Sequence, residues 1–392
     1  MRILVLSFYY EPDLCAGSFR TTALVNAMLA GNTPDLEVDV ISTLPNRYAS
    51  FSEEAPAFEE HDRLRIQRIK LPSHDSDVVG QARAFITFAR AANRLVGDRE
   101  YDLVFATSSR LMTATLGAWI ARRLKIPLYL DIRDIFVDTI NDVMPKSVTV
   151  FAGPLFSWLE KWTIRRASVV NLVSEGFSGY FESRYPGQKM TWHTNGIDEE
   201  FLEPIPMSSV PGKLTRILYA GNLGEGQCLH SIVPGLASAL ADKAEIVVIG
   251  DGGRRAQLES ELQEKAVTNV SLKPPVSRDK LLAEYSRADV LFLHLGAYEA
   301  FEKVLPSKLF EYAATGRPIL AGVGGYAAQF VADEISNAAV FAPGDVEGGC
   351  AAFDSLTLES APRPAFVKKY SRPNISRLMA RQIISFASEH HS

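Results

Sequence analysis

The chain is 392 residues long, 47% of them hydrophobic and 22% charged, which is the composition of a folded protein and more sequence than one hydrophobic core serves, so two domains are expected. A formal net charge of -5 supplies no basic face for DNA or RNA, and neither is expected as a partner. Cys15, Cys228 and Cys350 stand far apart, without zinc-site spacing or the even count of a secreted disulfide framework, which suits a reducing cytoplasm.

Residues 1–10 (MRILVLSFYY) hold a short apolar run that Glu11, Pro12 and Asp13 interrupt too early for a signal peptide. The same acidic residues argue against a lipoprotein cleavage site at Leu14-Cys15-Ala16-Gly17. No window approaches the roughly 20 apolar residues of a membrane span, so any membrane contact must be peripheral. Residues 3–7 read as a buried parallel strand, and a polar turn with Gly17 leads into an apolar-periodic helix over 20–30. Strands are predicted over 38–42, 65–70, 103–107, 128–132 and 169–173, with helices over about 80–97, 110–124 and 151–166. Such alternation predicts a parallel sheet covered on both faces.

The proline-rich stretch 203–213 (EPIPMSSVPGK) reads as an interdomain linker. A second series of strands follows over 216–220, 245–250, 270–272, 290–293, 318–321 and 339–341, with a closing helix over 375–387. The expected fold is therefore α/β, with two doubly wound parallel-sheet domains and a ligand in the cleft between their strand ends.

The most informative segment is 305–318 (LPSKLFEYAATGRP), a helix of about ten residues with Pro306 at its first position and Gly316 past its end. Lys308 and Glu311 share a face, with the cation toward the positive end of the helix, against the dipole. A pair set against local preference suggests a ligand. Phosphate would sit at the free N–H groups of the helix start beside Lys308, and a ribose diol at Glu311, about 4.5 Å farther along the axis. The alternative is an ion pair on a solvated helix.

This segment resembles the glycosyltransferase family 4 group of retaining GT-B enzymes, whose hallmark is two glutamates separated by seven residues. Glu311 falls at the second, which in that family holds the nucleotide ribose; at the first stands Lys303, with Glu302 and Glu299 beside it out of register. The branch most similar builds bacterial surface polysaccharides and includes L-fucosamine and other aminodeoxysugar transferases. Residues 13–20 (DLCAGSFR) resemble the family's first glycine-containing loop, which places Gly17 against the donor phosphates. Residues 130–135 (LDIRDI) resemble a strand-end motif, and 193–198 (HTNGID) an Asn-Gly-Ile/Val-Asp turn. Tyr219-Ala220-Gly221-Asn222-Leu223-Gly224, with Gln227, looks like the phosphate-side loop, and Gly250-Asp251-Gly252 also matches.

The resemblance implies a GT-B fold: a Rossmann-like acceptor-binding domain over 1–205, a nucleotide-sugar-binding domain over 206–373, and a C-terminal helix over 374–392 packing back on the first. It implies retaining transfer from a nucleotide sugar, UDP-sugar first, to a glycan or polyprenyl-linked acceptor, with the departing phosphate taking the acceptor's proton and no further cofactor. Gly221, Asn222, Gln227, Ser307, Lys308 and Glu311 become donor-binding candidates with Gly17, and Lys308, Arg133 and Asp134 catalytic ones. A sugar-nucleotide epimerase or a catalytically silent partner subunit would share the fold.

Each motif also has a structural explanation. Gly17 and Asn195-Gly196 suit plain turns, and Asp131, Arg133 and Asp134 an ion cluster, although they follow an apolar strand, where function is expected. Gly322-Val323-Gly324-Gly325-Tyr326-Ala327 satisfies the dinucleotide pattern GxGxxG/A, but after a late strand instead of in a first βα turn. The histidines and carboxylates show no metal-ligand spacing, so a metal-independent reaction is expected, and no GxSxG elbow is present. His294 ends an apolar strand as a ligand or as a satisfied core histidine. Residues 151–167 (FAGPLFSWLEKWTIRRA) combine Trp158 and Trp162 with Lys161, Arg165 and Arg166, suiting either an anionic membrane surface, at the inner face of the cytoplasmic membrane, or packing on the first sheet. Arg83, Arg90 and Arg94 add a second basic helix.

Overall fold

The computed structural model describes the chain apart from residues 32, 46–53, 73–77, 98, 109–110, 136, 138–145, 204, 206–213 and 391–392, and apart from the side chains of 78, 79, 81 and 146–152. Most of the predicted linker over 203–213 therefore lies outside the described residues. The chain divides into two compact units, Met1–Asn195 with Arg372–Ser392, and Gly196–Ser371.

In the first unit, runs of Val, Ile and Leu form inner strands because a parallel sheet is covered on both faces. The strands are β1 (Arg2–Leu6), β2 (Glu37–Thr43), β3 (Phe58–His61), β4 (Leu64–Ile69), β5 (Leu103–Thr107), β6 (Leu128–Ile132), β7 (Val169–Leu172) and β8 (Met190–Trp192). They lie in the order β3-β4-β2-β1-β5-β6-β7-β8, and among the described residues only β3, at one edge, pairs antiparallel. The helices are α1 (Ala16–Leu29), α2 (Val78–Val96), α3 (Leu111–Leu124), α4 (Lys146–Ile164) and the short α5 (Ser178–Arg184). The C-terminal helix Arg372–Glu389 recurs in Met379, Ile383 and Phe386, a helical stripe that packs with Leu24, Val25 and Met28 of α1 over Ile3, Val5 and Tyr129. α2 lies against β2 and β4, α3 against β5 and β6, and α4 against α3.

The start of α1 corrects the expectation for Gly17. The helix begins at Ala16, after an extended Cys15, so Gly17 sits buried in its first turn and not in the preceding loop. No proline or β-branched residue follows Cys15 before Thr21 to delay the helix, and the Gly17 carbonyl accepts the Thr21 hydroxyl at 2.9 Å.

The second unit has β9 (Thr215–Ala220), β10 (Ala244–Ile249), β11 (Val270–Lys273), β12 (Val290–His294), β13 (Ile319–Gly322) and β14 (Ala338–Phe341). All pair in parallel in the order β11-β10-β9-β12-β13-β14. Counted from β9 this is the doubly wound order, and the strand sequence reverses between β9 and β12. Its helices are α6 (Leu229–Ala239), α7 (Arg255–Glu264), α8 (Arg278–Arg287), α9 (Lys308–Ala314), α10 (Gly325–Glu334), α11 (Val346–Ser355) and α12 (Pro364–Tyr370). Ile232, Val233 and Leu236 of α6 recur at helical spacing and cover one face of the sheet with Leu258 of α7 and Phe353 of α11. Tyr285, Phe310, Val331 and Phe366 cover the other.

Candidate functional site

The β9 and β12 ends meet at the reversal point of the second sheet, where open α/β sheets bind ligands. After β9 the chain turns through Gly221–Gln227. Tyr219 donates its hydroxyl to the Asn222 carbonyl at 2.7 Å, and Gln227 Oε1 accepts from Asn222 Nδ2 at 3.0 Å and from the Gly224 amide at 3.2 Å. Asn222 and Gln227 are thus turned on each other and shape the loop. Backbone bonds tie it to its neighbours: Gly221 N to Ile249 O, Leu223 N to Asp251 O, and Gly296 N to Gly226 O. Gly250 allows this lacing, because at φ +148° a Cβ there would stand 1.8 Å from the Gly221 carbonyl oxygen.

His294, the last residue of β12, fastens the same loop. Its Nε2 accepts the Gly344 amide at 3.0 Å, so the ring proton is on Nδ1, which donates to the Gln227 carbonyl at 2.8 Å. Burial pushes this imidazole down to about 4, against the Gln227 carbonyl, and it is neutral. Of the two roles open to it in the sequence, it is a satisfied core histidine.

Lys308 and Glu311 stand on the helix that is tied to the end of β9, just before this loop. Tyr312, next to Glu311, accepts the Ala220 amide at 3.0 Å, and Tyr285 donates to Glu311 Oε2 at 3.2 Å. Lys308 Nζ reaches the same Oε2 at 2.9 Å. The helix is not solvated: Glu311 is 7% exposed, and Leu309, Phe310, Tyr312 and Ala313 are buried. Two expectations are corrected. α9 has 7 residues beginning at Lys308, so Pro306 lies outside it, with Ser307 at the cap already in helical conformation. In consequence Leu309 N is bonded to Pro306 O and Phe310 N to Ser307 O, and the helix start offers fewer open N–H groups than expected. Gly316 does follow the helix, at φ +74°.

Glu299, Glu302 and Lys303 share one 3-10 turn, with both glutamates exposed. The turn after β13 packs against it. Gly325 has φ +53°, and a Cβ there would stand 2.1 Å from the Glu302 carbonyl oxygen, so chain packing accounts for this glycine of the GxGxxG/A run.

In the first unit the strand-end cluster divides. Asp131, next to last in β6, forms a buried bidentate pair with Arg20 of α1, and Asn171 donates to Asp131 at 2.7 Å. Arg20 also donates to the carbonyls of His193 and Thr194, each at 2.7 Å, which seats the start of the HTNGID turn. Burial raises the Asp131 carboxyl, but the Arg20 charge and hydrogen bonds outweigh it and hold it below its ordinary range. The Arg133 amide donates to Ser108 at 2.9 Å, and its Nη1 is buried without a hydrogen-bond partner among the described residues. Burial and the like charge of Arg20 push this guanidinium down. Desolvation by the surrounding chain pushes the Asp134 carboxyl up and the Arg133 charge pulls it down, and because Asp134 is exposed the net rise is small. Arg20, Asn171, Tyr285 and Tyr312 were not singled out in the sequence, and their partners lie too far away along the chain for any spacing to signal them.

Residues 21–196 match the model of a glycosyl transferase 4-like domain, and residues 215–357 that of glycosyl transferases group 1. A glycosyl transferase of Escherichia coli (strain K12) ascribed to colanic acid biosynthesis, WcaI, is 36% identical over 110 residues, 27% of this chain and 26% of that protein. The match therefore spans about a quarter of that relative's length. Among solved structures, sucrose-phosphate synthase from Thermosynechococcus elongatus superposes with TM-score 0.72 at 15% identity, covering 99% of each chain. Anabaena Alr3699/HepE, in complex with UDP, superposes with TM-score 0.65 at 13% identity, covering 98% of this chain and 100% of the other. At those identities the likeness is one of fold.

Proposed function

This chain belongs to glycosyltransferase family 4 and has the GT-B fold, and from that premise we propose that it transfers a sugar, with retention of anomeric configuration, from a UDP-sugar to a glycan or polyprenyl-linked glycan acceptor of a surface polysaccharide. The observation that carries the proposal is the bond from the Ala220 amide to Tyr312, which ties the helix bearing the Lys308–Glu311 pair to the end of β9, where the Gly221–Gln227 loop leaves the reversal point of one parallel sheet. The UDP bound by the Anabaena relative supports the choice of nucleotide.

In this proposal the diphosphate lies along the 221–227 loop and the ribose at Glu311. Lys308, whose side chain is more open than that of Glu311, leaves the carboxylate for the phosphate. The bond from the sugar's anomeric carbon to the diphosphate breaks, a bond to the acceptor oxygen forms on the same face, and the acceptor's proton passes to the departing phosphate. Lys308 and backbone N–H groups stabilise the charge that builds on the diphosphate, and no metal is invoked. Gly17, Arg133 and Asp134 are proposed to act from the first unit, Arg133 through Nη1, which has no hydrogen-bond partner among the described residues. The protein is proposed to work in the cytoplasm, in peripheral contact with the inner face of the membrane; no described helix is long and apolar enough to cross one.

A thermal-shift screen of nucleoside diphosphates and their sugars tests the donor site, since a ligand that binds only the folded state raises its apparent stability. UDP and a UDP-sugar should raise the melting temperature. Failure of every nucleoside diphosphate to do so would remove the proposal.

A further inference from the structure

Helices α2, α3 and α4 of the first unit enclose an open groove of about 290 Å³ lined by Phe85, Leu116, Trp119, Trp158, Leu159 and Trp162 among others. Thr115 also lines it, but its hydroxyl is engaged with the Leu111 carbonyl at 3.2 Å and with Thr163 at 3.0 Å. The groove therefore presents hydrocarbon and ring surface to an occupant. Its surroundings remain open: Trp158 and Leu155 are 59% and 56% exposed, Ile86 and Trp119 48% and 43%. Large apolar side chains gathered in this way mark a surface that meets apolar matter.

The exposed charges in and next to these helices have one sign among the described residues. α2 carries Arg83, Arg90 and Arg94, Arg122 and Arg123 stand in the last turn of α3, and Lys161 stands in the last turn of α4 with Arg165 and Arg166 just after it. The acidic residue of the three helices, Glu160, is buried and accepts the hydroxyls of Tyr180 and Tyr185 at 2.9 and 2.7 Å. None of those cations forms an ion pair among the described residues. In a chain of net charge -5 this is a local reversal of sign. The Arg123 guanidinium lies 5.5 Å from the centre of the Trp119 ring, which brings the two features together at the groove.

We propose that this face seats on an anionic bilayer and that the groove receives an acyl chain of one of its phospholipids, with the headgroup phosphates among the arginines. Tryptophans place their rings at the level of the headgroups, and arginines lay their stems on apolar surface while the charge stays in water. The inference deepens the peripheral-membrane part of the proposed function and does not depend on glycosyl transfer.

The test uses the full chain carrying Trp192→Phe. Of the four tryptophans this leaves Trp119, Trp158 and Trp162, all lining the groove, as fluorophores. Titration with phosphatidylcholine vesicles containing phosphatidylglycerol and brominated acyl chains should quench their emission, and pure phosphatidylcholine vesicles should do so far less. Adding Leu155→Gln and Trp158→Gln, both at exposed positions, should weaken vesicle binding by about tenfold or more with an unchanged melting temperature. Salt-sensitive binding without quenching, and equal for both proteins, would overturn the groove while leaving a charge-driven membrane contact standing. No vesicle binding at all would overturn both. Nucleotide release, measured separately, reports on glycosyl transfer in either case.

Discussion

Arg20 and Asp131 are joined by two parallel hydrogen bonds, Nε to Oδ2 and Nη2 to Oδ1, each 2.8 Å long and buried. The pair connects α1 to the end of β6 and, through the two remaining Arg20 contacts, to the turn after β8. Asp131→Asn keeps the shape and removes the charge, leaving a buried guanidinium uncompensated. Urea unfolding should show a loss of about 3–5 kcal/mol. Because the carboxyl is held below its ordinary range, this contribution is full above the ordinary carboxylate pKa and is lost as pH falls through the depressed value. A loss under about 1 kcal/mol would show that the pair does not hold these elements together.

His294 predicts a different pH dependence. Its folded value of about 4 lies below the ordinary 6.5, so the unfolded chain binds a proton first as the solution is acidified. Stability should be full above about pH 6.5 and fall by about 3 kcal/mol as pH drops toward the folded value. His294→Gln should unfold without that part of the slope. An identical pH profile in wild type and variant would show that the imidazole titrates normally.

Arg133 and Asp131 are two residues apart and behave oppositely. Arg133→Gln removes a buried donor that has no hydrogen-bond partner among the described residues, so the melting temperature should stay level or rise while kcat/KM falls by about tenfold or more. A lower melting temperature with unchanged turnover per folded molecule would make Arg133 a structural residue.

Parallel strands were legible wherever burial on both faces made an unbroken apolar run, as in LVFAT of β5 and VLFLH of β12. Their alternation with helices sufficed for the fold class. The three-residue parallel edge strand β8 (MTW) and the antiparallel edge strand β3 (FEEH) were not legible, because a short or exposed edge strand carries no such run. Proline placement set α9 too long, since Pro306 can begin a helix but here lies in the turn before it. Adjacency grouped Asp131 with Arg133 and Asp134, whereas the partner of Asp131 is 111 residues away, a pairing that only the fold creates.

The stereochemical course follows from the same-face mechanism. A time course of product by NMR should show the donor's anomeric configuration, and EDTA should leave the rate intact. An inverted product would contradict the mechanism, and loss of rate in EDTA would require a metal.

Glu311 bears most directly on the proposed donor site. Its carboxylate is buried against Lys308 and Tyr285, so Glu311→Gln should destabilise the fold whether or not the residue meets substrate, and a melting curve cannot separate the two roles. Affinity can. Charge-assisted hydrogen bonds contribute about 1.5–3 kcal/mol each, so if the carboxylate holds the ribose, the variant should bind UDP about tenfold to several hundredfold more weakly. The measurement is calorimetric titration of UDP into wild type and Glu311→Gln, below the melting temperature of both. A loss of that size is predicted, and equal UDP affinity in the two proteins would contradict the assignment of this site.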